Sequence, residues 1–297
     1  GKNQTEQVRL LSMKFKNPEA LVSGEWLQQH LDAPDVRIVD ATYYLPGADR
    51  DAHEEWTYRH IPGAVFFDID KICDSDSDLP HMLPSAEKFS SHVRRLGLGD
   101  GSKIVIYDCN GGYMAACRVW WMFRLFGHTD VCVLNGGLVR WAKERRPLEK
   151  VDPPMRERHF TARLNNALVK TKKQILNNLE SQKFQIIDAR NEGRYTGIDH
   201  EPRPTERRGH IPGSLNVPFT SITPPSQDFT FNDYDAICEL LNGAGVDMDK
   251  PAVVTCGSGV TACVVAFALY MLGKEDVAIY DGSWAEWGND PSTPITA

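Results

Sequence analysis

Short apolar runs rich in β-branched residues recur along the chain at 37–41, 104–108, 184–188 and 251–255. Runs this brief, apolar on consecutive positions and bounded by polar or glycine-bearing turns, predict strands buried on both faces, as in a parallel sheet. Longer stretches with helical spacing lie between them. Ser23 and Thr171 stand as N-caps ahead of two amphipathic segments, and Gln174, three places after Thr171, completes a capping box. Residues 234–241 predict a helix, 217–219 a short strand or turn, and 276–280 a last core strand. The segment 260–272 is apolar on almost every face and stops at Gly273, which predicts a buried helix with a glycine C-cap. Strands alternating with helices predict an α/β fold, a mainly parallel sheet flanked by helices on both faces.

The pattern occurs twice. Ser23 and Thr171 lie 148 positions apart, and at the same offset Arg37-Ile38-Val39-Asp40-Ala41 answers Gln185-Ile186-Ile187-Asp188-Ala189. His60-Ile61-Pro62-Gly63 answers His210-Ile211-Pro212-Gly213, and Ile104-Val105-Ile106-Tyr107-Asp108 answers Ala252-Val253-Val254-Thr255-Cys256. Leu134-Asn135-Gly136-Gly137 and Tyr280-Asp281-Gly282-Ser283 close the two copies, each ahead of a tryptophan. Matched anchors in one order mark a tandem repeat of a single α/β unit. The domains expected are 17–147 and 167–297, after a polar tail at 1–16 and joined by a charged connector at 148–166 that carries Pro153-Pro154.

Two domains also suit a length of 297 residues. A hydrophobic fraction of 41% and a charged fraction of 25%, without a long uncharged apolar run, describe a globular chain and give no reason to expect a membrane span. A net charge of -7 argues against general nucleic-acid binding. The seven cysteines form no Cys-x-x-Cys pair and cluster with no histidines, so neither a metal site nor a disulfide framework is expected, and a reducing compartment is favoured.

One cysteine stands apart. Cys256 ends an apolar strand and opens the loop Cys256-Gly257-Ser258-Gly259-Val260-Thr261 ahead of the apolar helix. A core cysteine is usually inert, but Gly257, Ser258 and Gly259 are poor core material, and two glycines let the backbone curl its N–H groups inward beside a helix N-terminus, where a thiolate is stabilised. Cys256 is therefore the candidate nucleophile, and Gly257, Gly259, Val260 and Thr261 the candidate anion cradle. The first copy has Asp108 at the equivalent position, and Cys109 beside it is out of register. One site of two should remain, in the cleft between the domains at the C-terminal ends of the second sheet's strands.

The six-residue loop, the paired His-Ile-Pro-Gly turns, the Tyr280-Asp281-Gly282-Ser283-Trp284 segment and the tandem repeat resemble the rhodanese superfamily, and within it the branch that takes sulfur from 3-mercaptopyruvate. The resemblance spans roughly residues 17–290. It implies two rhodanese-like domains, the first non-catalytic, and a cofactor-free transfer of sulfur from 3-mercaptopyruvate through a Cys256 persulfide to thioredoxin, glutathione or cyanide, with release of pyruvate. It assigns Arg194 and Arg203 to the keto acid, and to proton transfer Ser258, His60 and an upstream aspartate, Asp51 or its neighbour Asp49. A monomer or weak dimer in the cytoplasm or mitochondrial matrix is the expectation. Thiosulfate-using members resemble this chain but carry two cations where it has Gly257 and Ser258, which disfavours a compact dianion here. Thiosulfate use, or relay of persulfide sulfur to a protein partner, is the alternative. A Cys-x5-Arg phosphatase would need arginine at position 262, which is alanine.

Overall fold

The apolar runs become strands of two five-stranded sheets in the computed structural model, which describes residues 14–109 and 114–297. In the first half β1 (Leu21–Val22), α1 (Gly24–Gln29), β2 (Val36–Asp40), α2 (Ala52–Tyr58), β3 (Val65–Phe66), α3 (Ala86–Arg95), β4 (Lys103–Tyr107), α4 (Met114–Leu125), β5 (Val131–Leu134) and α5 (Gly137–Lys143) follow in order. The second half repeats them as β6 (Val169–Lys170), α6 (Lys172–Ser181), β7 (Gln185–Asp188), α7 (Glu192–Thr196), β8 (Leu215–Asn216), α8 (Tyr234–Gly243), β9 (Ala252–Thr255), α9 (Ala262–Met271), β10 (Ala278–Tyr280) and α10 (Ser283–Trp287). The expected caps form: Ser23 Oγ accepts from the Trp26 N–H at 3.0 Å, and Thr171 and Gln174 bond reciprocally. Gly273 follows α9 with φ +96°, a conformation that disfavours a side chain.

Strand orders are β1-β5-β4-β2-β3 and β6-β10-β9-β7-β8, with every pairing parallel. In each sheet the chain starts at one edge, runs through the second strand to the third at the other edge, then crosses back over the second to the fourth. The switch falls between β9 and β7 in the second sheet, which opens a crevice at the ends of those strands. Equivalent helices join the halves. α4 packs on α9, with Trp120 edge-on to Phe267 at 4.9 Å and to Tyr270 at 5.2 Å. α9 is apolar all round and α4 nearly so, interrupted by Arg118 and Arg124, because each meets its own sheet on one side and its counterpart on the other. The connector is not loose: Phe160 is buried against Phe89, and the Arg163 N–H donates to Phe126 O at 2.9 Å.

β2 ends at a buried carboxyl, Asp40, which accepts from the Thr42 N–H at 2.9 Å and the Thr42 hydroxyl at 2.6 Å. Burial pushes its pKa up to about 6 despite those bonds. A carboxyl whose folded pKa exceeds the unfolded value of 3.8 destabilises the fold once ionised, so stability falls as pH rises from about 4 to about 6. Asp40→Asn should then raise stability by about 1–3 kcal/mol at pH 7.5 and by nothing below pH ~4. Urea titrations of both proteins at the two pH values check it.

Candidate active site

β9 delivers Cys256 to the crevice, and the next residues fold back over its thiol. The Gly259 N–H donates to Cys256 Sγ at 3.1 Å. Gly259 needs to be glycine: its φ is +83°, and a Cβ there would sit 3.0 Å from Asp281 O and Oδ1. From behind, the Cys256 N–H donates to Ser283 Oγ at 3.2 Å, while Trp284 N–H and Ala285 N–H donate at 2.9 Å to the carbonyls of Cys256 and Gly257. Ser283 itself has φ +52°, an uncommon conformation for a side-chain-bearing residue, and is fully buried. Its hydroxyl donates to Tyr280 O at 2.8 Å, which fixes the oxygen that holds the Cys256 backbone. The first copy has Gly137 there. Cys256 ends up 1% exposed, at the floor of a cleft walled by both domains.

Two guanidiniums reach that cleft by different means. Arg203 places Nη1 3.4 Å from Ser258 Oγ, and Nη2 2.5 Å from Tyr43 OH and 2.9 Å from His81 Nε2. Arg194, on α7, directs Nε (2.6 Å) and Nη2 (2.5 Å) at Glu201 Oε2. The other oxygen of Glu201 accepts from Arg190, which is doubly bonded to Asp188. Gly257 makes room for this: a Cβ on it would lie 2.5 Å from Arg194 Nη2. The small loop residue and the arginine above it are therefore one feature.

The expected relay through His60 and Asp51 is not what the structure assembles. His60 is fully buried, with Nδ1 2.8 Å from Trp56 O and Nε2 2.9 Å from Val151 O, and its backbone pairs with Glu149. Both ring nitrogens are committed to main-chain carbonyls, so the imidazole locks the turn to the connector. His210 does likewise, with Nδ1 2.8 Å from Tyr195 O and its ring stacked on that tyrosine. Asp51 caps α2, accepting from the Glu54 N–H at 3.0 Å, and Asp49 is exposed in a left-handed turn.

The first domain contributes His81 instead. Beside its contact with Arg203, its Nε2 lies 2.9 Å from Tyr43 OH, and its Nδ1 lies 3.2 Å from Asp70 Oδ1, short of hydrogen-bond alignment. Burial, with the charges of Arg203 and Arg118, lowers its pKa to about 3, so the ring is neutral at physiological pH. Nε2 accepts there, and the ring proton sits on the Asp70 side. Partial burial and neighbouring Asp68 hold the Asp70 pKa above the usual carboxylate value. The backbone of His81 is left-handed, φ +56°, and Arg118 keeps it so. One guanidinium, on α4 of the first domain, donates from Nη2 to His81 O at 2.5 Å, and from Nη1 to Asp281 Oδ1 at 2.6 Å and Gly259 O at 3.2 Å. Asp281 Oδ2 accepts from the Leu83 N–H at 2.7 Å. This buried pair ties the loop of His81 to the loop of Cys256.

The first-copy counterpart of the cleft has opposite character. The carboxylate of Asp108 accepts from the Ala116 N–H at 2.9 Å, on the helix that follows it. Glu55, directly before Trp56, takes the place that Arg194 holds directly before Tyr195, and each of those aromatics stacks on the histidine of its turn. Glu55 accepts from Arg50 at 2.7 Å and from Tyr44 OH at 2.6 Å. The Cys109 thiol lies 2.8 Å from Tyr44 OH and 3.5 Å from Glu55, and burial pushes its pKa up to about 11. An anion has no grip there, and the thiol stays protonated. Residues 110–113, which would show how the first loop is lengthened, lie outside the described residues.

Comparison with known proteins completes the description. The rhodanese-like domain family matches twice, at residues 23–144 and 171–290. Human 3-mercaptopyruvate sulfurtransferase is 47% identical over 273 residues, covering 90% of this chain and 91% of its own. Bovine thiosulfate sulfurtransferase is 44% identical over 274 residues with the same coverage, 90% and 91%. The crystal structure of a 3-mercaptopyruvate sulfotransferase from Escherichia coli superposes with a TM-score of 0.81 at 40% identity, over 89% of this chain and 98% of that one.

Proposed function

The chain belongs to the rhodanese-like family as a two-domain sulfurtransferase, and from that premise we propose that its donor is 3-mercaptopyruvate, whose sulfur passes through a Cys256 persulfide to a thiol acceptor or cyanide. The observation that carries the donor assignment is the wall above the thiol: Gly257 and Ser258 bring no charge of their own, and the cations that reach the cleft, Arg194 and Arg203, come over the loop from other segments of the second domain. Planar guanidiniums on that wall suit a carboxylate and a keto oxygen on a carbon skeleton. Two loop cations against the nucleophile would suit a compact dianion better. Thiosulfate remains the second reading because the bovine thiosulfate enzyme is nearly as similar as the human mercaptopyruvate enzyme.

In the first half-reaction the Cys256 thiolate attacks the donor's thiol sulfur. A bond forms between Cys256 Sγ and that sulfur while the carbon–sulfur bond breaks and leaves its electron pair on carbon as pyruvate enolate. The thiol proton of the donor ends on that carbon, so atoms and charge balance as persulfide anion plus pyruvate. The hydroxyls of Tyr43 and Ser258, both within reach of Arg203, are the groups placed to carry this proton, and neutral His81, accepting from Arg203 at Nε2, orients them. The Gly259 N–H, with its neighbours in the loop from Gly257 to Thr261, holds negative charge on sulfur in both the thiolate and the persulfide. In the second half-reaction the acceptor attacks the outer sulfur and Cys256 leaves as thiolate. Thioredoxin or glutathione would serve as acceptor in a cytoplasmic or mitochondrial setting. No helix among the described residues is long and apolar enough to cross a membrane.

Loading each donor separately and weighing the protein tests the proposal. Mercaptopyruvate should add one sulfur atom, located on the Cys256 peptide, faster than thiosulfate does. Loading by thiosulfate at an equal or greater rate would overturn the donor assignment in favour of the second reading.

A further inference from the structure

We propose that Glu201 sets the charge of the donor: by cancelling one of the two guanidiniums in the cleft, it fits the site to a monoanionic sulfur donor and turns dianionic ones away. The inference deepens the reading above and rests on it. Among the described residues, and apart from Cys256, the charged side chains lining the cleft are Arg194, Arg203 and Glu201. Glu201 binds Arg194 through a single oxygen, Oε2, which accepts from both Nε and Nη2. With side chains only 4% and 15% exposed, solvent does little to screen that pair. Asp70, the further carboxylate behind His81, is 66% exposed and faces water. The fixed charge on the wall is therefore one positive unit, carried by Arg203.

Glu201 is not needed merely to neutralise buried Arg190. Asp188 already does so with both oxygens, at 3.1 Å from Nε and 2.8 Å from Nη2. Glu201 adds a second negative charge to that arginine and turns its other oxygen to the cleft. A keto-acid monoanion matches the remaining positive unit, whereas a dianion brings one charge in excess beside a thiolate. The loop adds no compensating cation, because Gly257 and Ser258 are neutral and a side chain at 257 would displace Arg194. Glu201 thus acts as a specificity-determining residue, and its effect should scale with donor charge.

The test compares kcat/KM for thiosulfate and for mercaptopyruvate in wild type, Glu201→Gln and Glu201→Asp at one ionic strength. One unit charge acting from about 6 Å at an effective dielectric near 20 changes affinity by roughly 100-fold. Glu201→Gln should accordingly raise the thiosulfate-to-mercaptopyruvate ratio by roughly 10- to 100-fold, mostly through a lower KM for thiosulfate, and added salt should shrink the gain. Glu201→Asp, which keeps the charge, should stay near the wild-type ratio. Equal losses for both donors in Glu201→Gln would overturn the inference and leave Glu201 a structural residue. A wild-type preference for thiosulfate would instead overturn the donor assignment on which it rests. Should Glu201→Gln not fold, inhibition of wild type by methanesulfonate and by sulfate decides, since the two match in shape and differ by one charge. Weaker inhibition by sulfate supports the inference, and stronger inhibition overturns it.

Discussion

Cys256→Ser should abolish turnover with every donor, a fall on the order of 10^4-fold or more, and should leave the protein without the added sulfur after exposure to mercaptopyruvate. A serine hydroxyl fills nearly the same space and can still accept from the Gly259 N–H, so the loop should keep its shape while losing its sulfur nucleophile. Steady-state rates, intact mass and a denaturant melt, read together, separate lost chemistry from lost folding. The same change at Cys109 should leave turnover as it was, because that thiol faces Glu55 and Tyr44 in the other copy's cleft. Residual donor turnover in Cys256→Ser would mean another group takes up sulfur.

The second large effect is expected at Arg118→Met. Arg118 and Asp281 are 1% and 3% exposed, and removing the cation leaves a buried carboxylate without its partner. Breaking such a pair costs about 3–5 kcal/mol. Activity should fall further than stability explains, because the same guanidinium holds the carbonyls of His81 and Gly259. A shift in pH dependence would separate positioning from general weakening. His81 is kept neutral by burial first and by Arg203 and Arg118 after it, so losing Arg118 should raise its pKa from about 3. His81 is faced by Arg203, Arg118, Asp70 and Tyr43, and only the first two oppose its protonation. Persulfide loading in the variant should then decline from a higher pH as the solution is made acidic. Denaturant melts and loading rates between pH 4 and 8 measure both effects. An unaltered pH profile would leave Arg118 with a purely structural part.

How legible all this was depends on how far apart the partners lie in the chain. The repeat and its strands were readable because burial on both faces writes a local, contiguous apolar run, and duplication writes it twice. The loop at Cys256 was readable as irregular because its glycines stand close together in the chain, Gly259 for a left-handed backbone, although what Gly257 makes room for, Arg194, comes from far off. His60 misled for a related reason: a recurrent turn attracts attention, yet its regularity comes from an imidazole bonded to main chain. His81 left no such trace. It sits between β3 and α3 in an irregular segment without hydrophobic period, and its partner Arg203 is 122 residues away across the domain interface. Arg118 was the one available clue, a charged residue in the middle of a helix whose only other charge, Arg124, lies in its last turn. Glu201 lay in plain sight close to Arg194, but only the path of the loop at 197–209 decides that the two meet.

The packing of α4 against α9 carries a consequence for how such an enzyme can evolve. Two identical subunits meeting through that helix would have to present the same residues on both sides of the contact. Joined in one chain, the halves are free to differ, and here the one with Asp108 in place of Cys256 brings Tyr43, His81 and Arg118 to the cleft of the other. The first domain is in effect a permanently bound auxiliary subunit at fixed stoichiometry, inherited along with the site it furnishes.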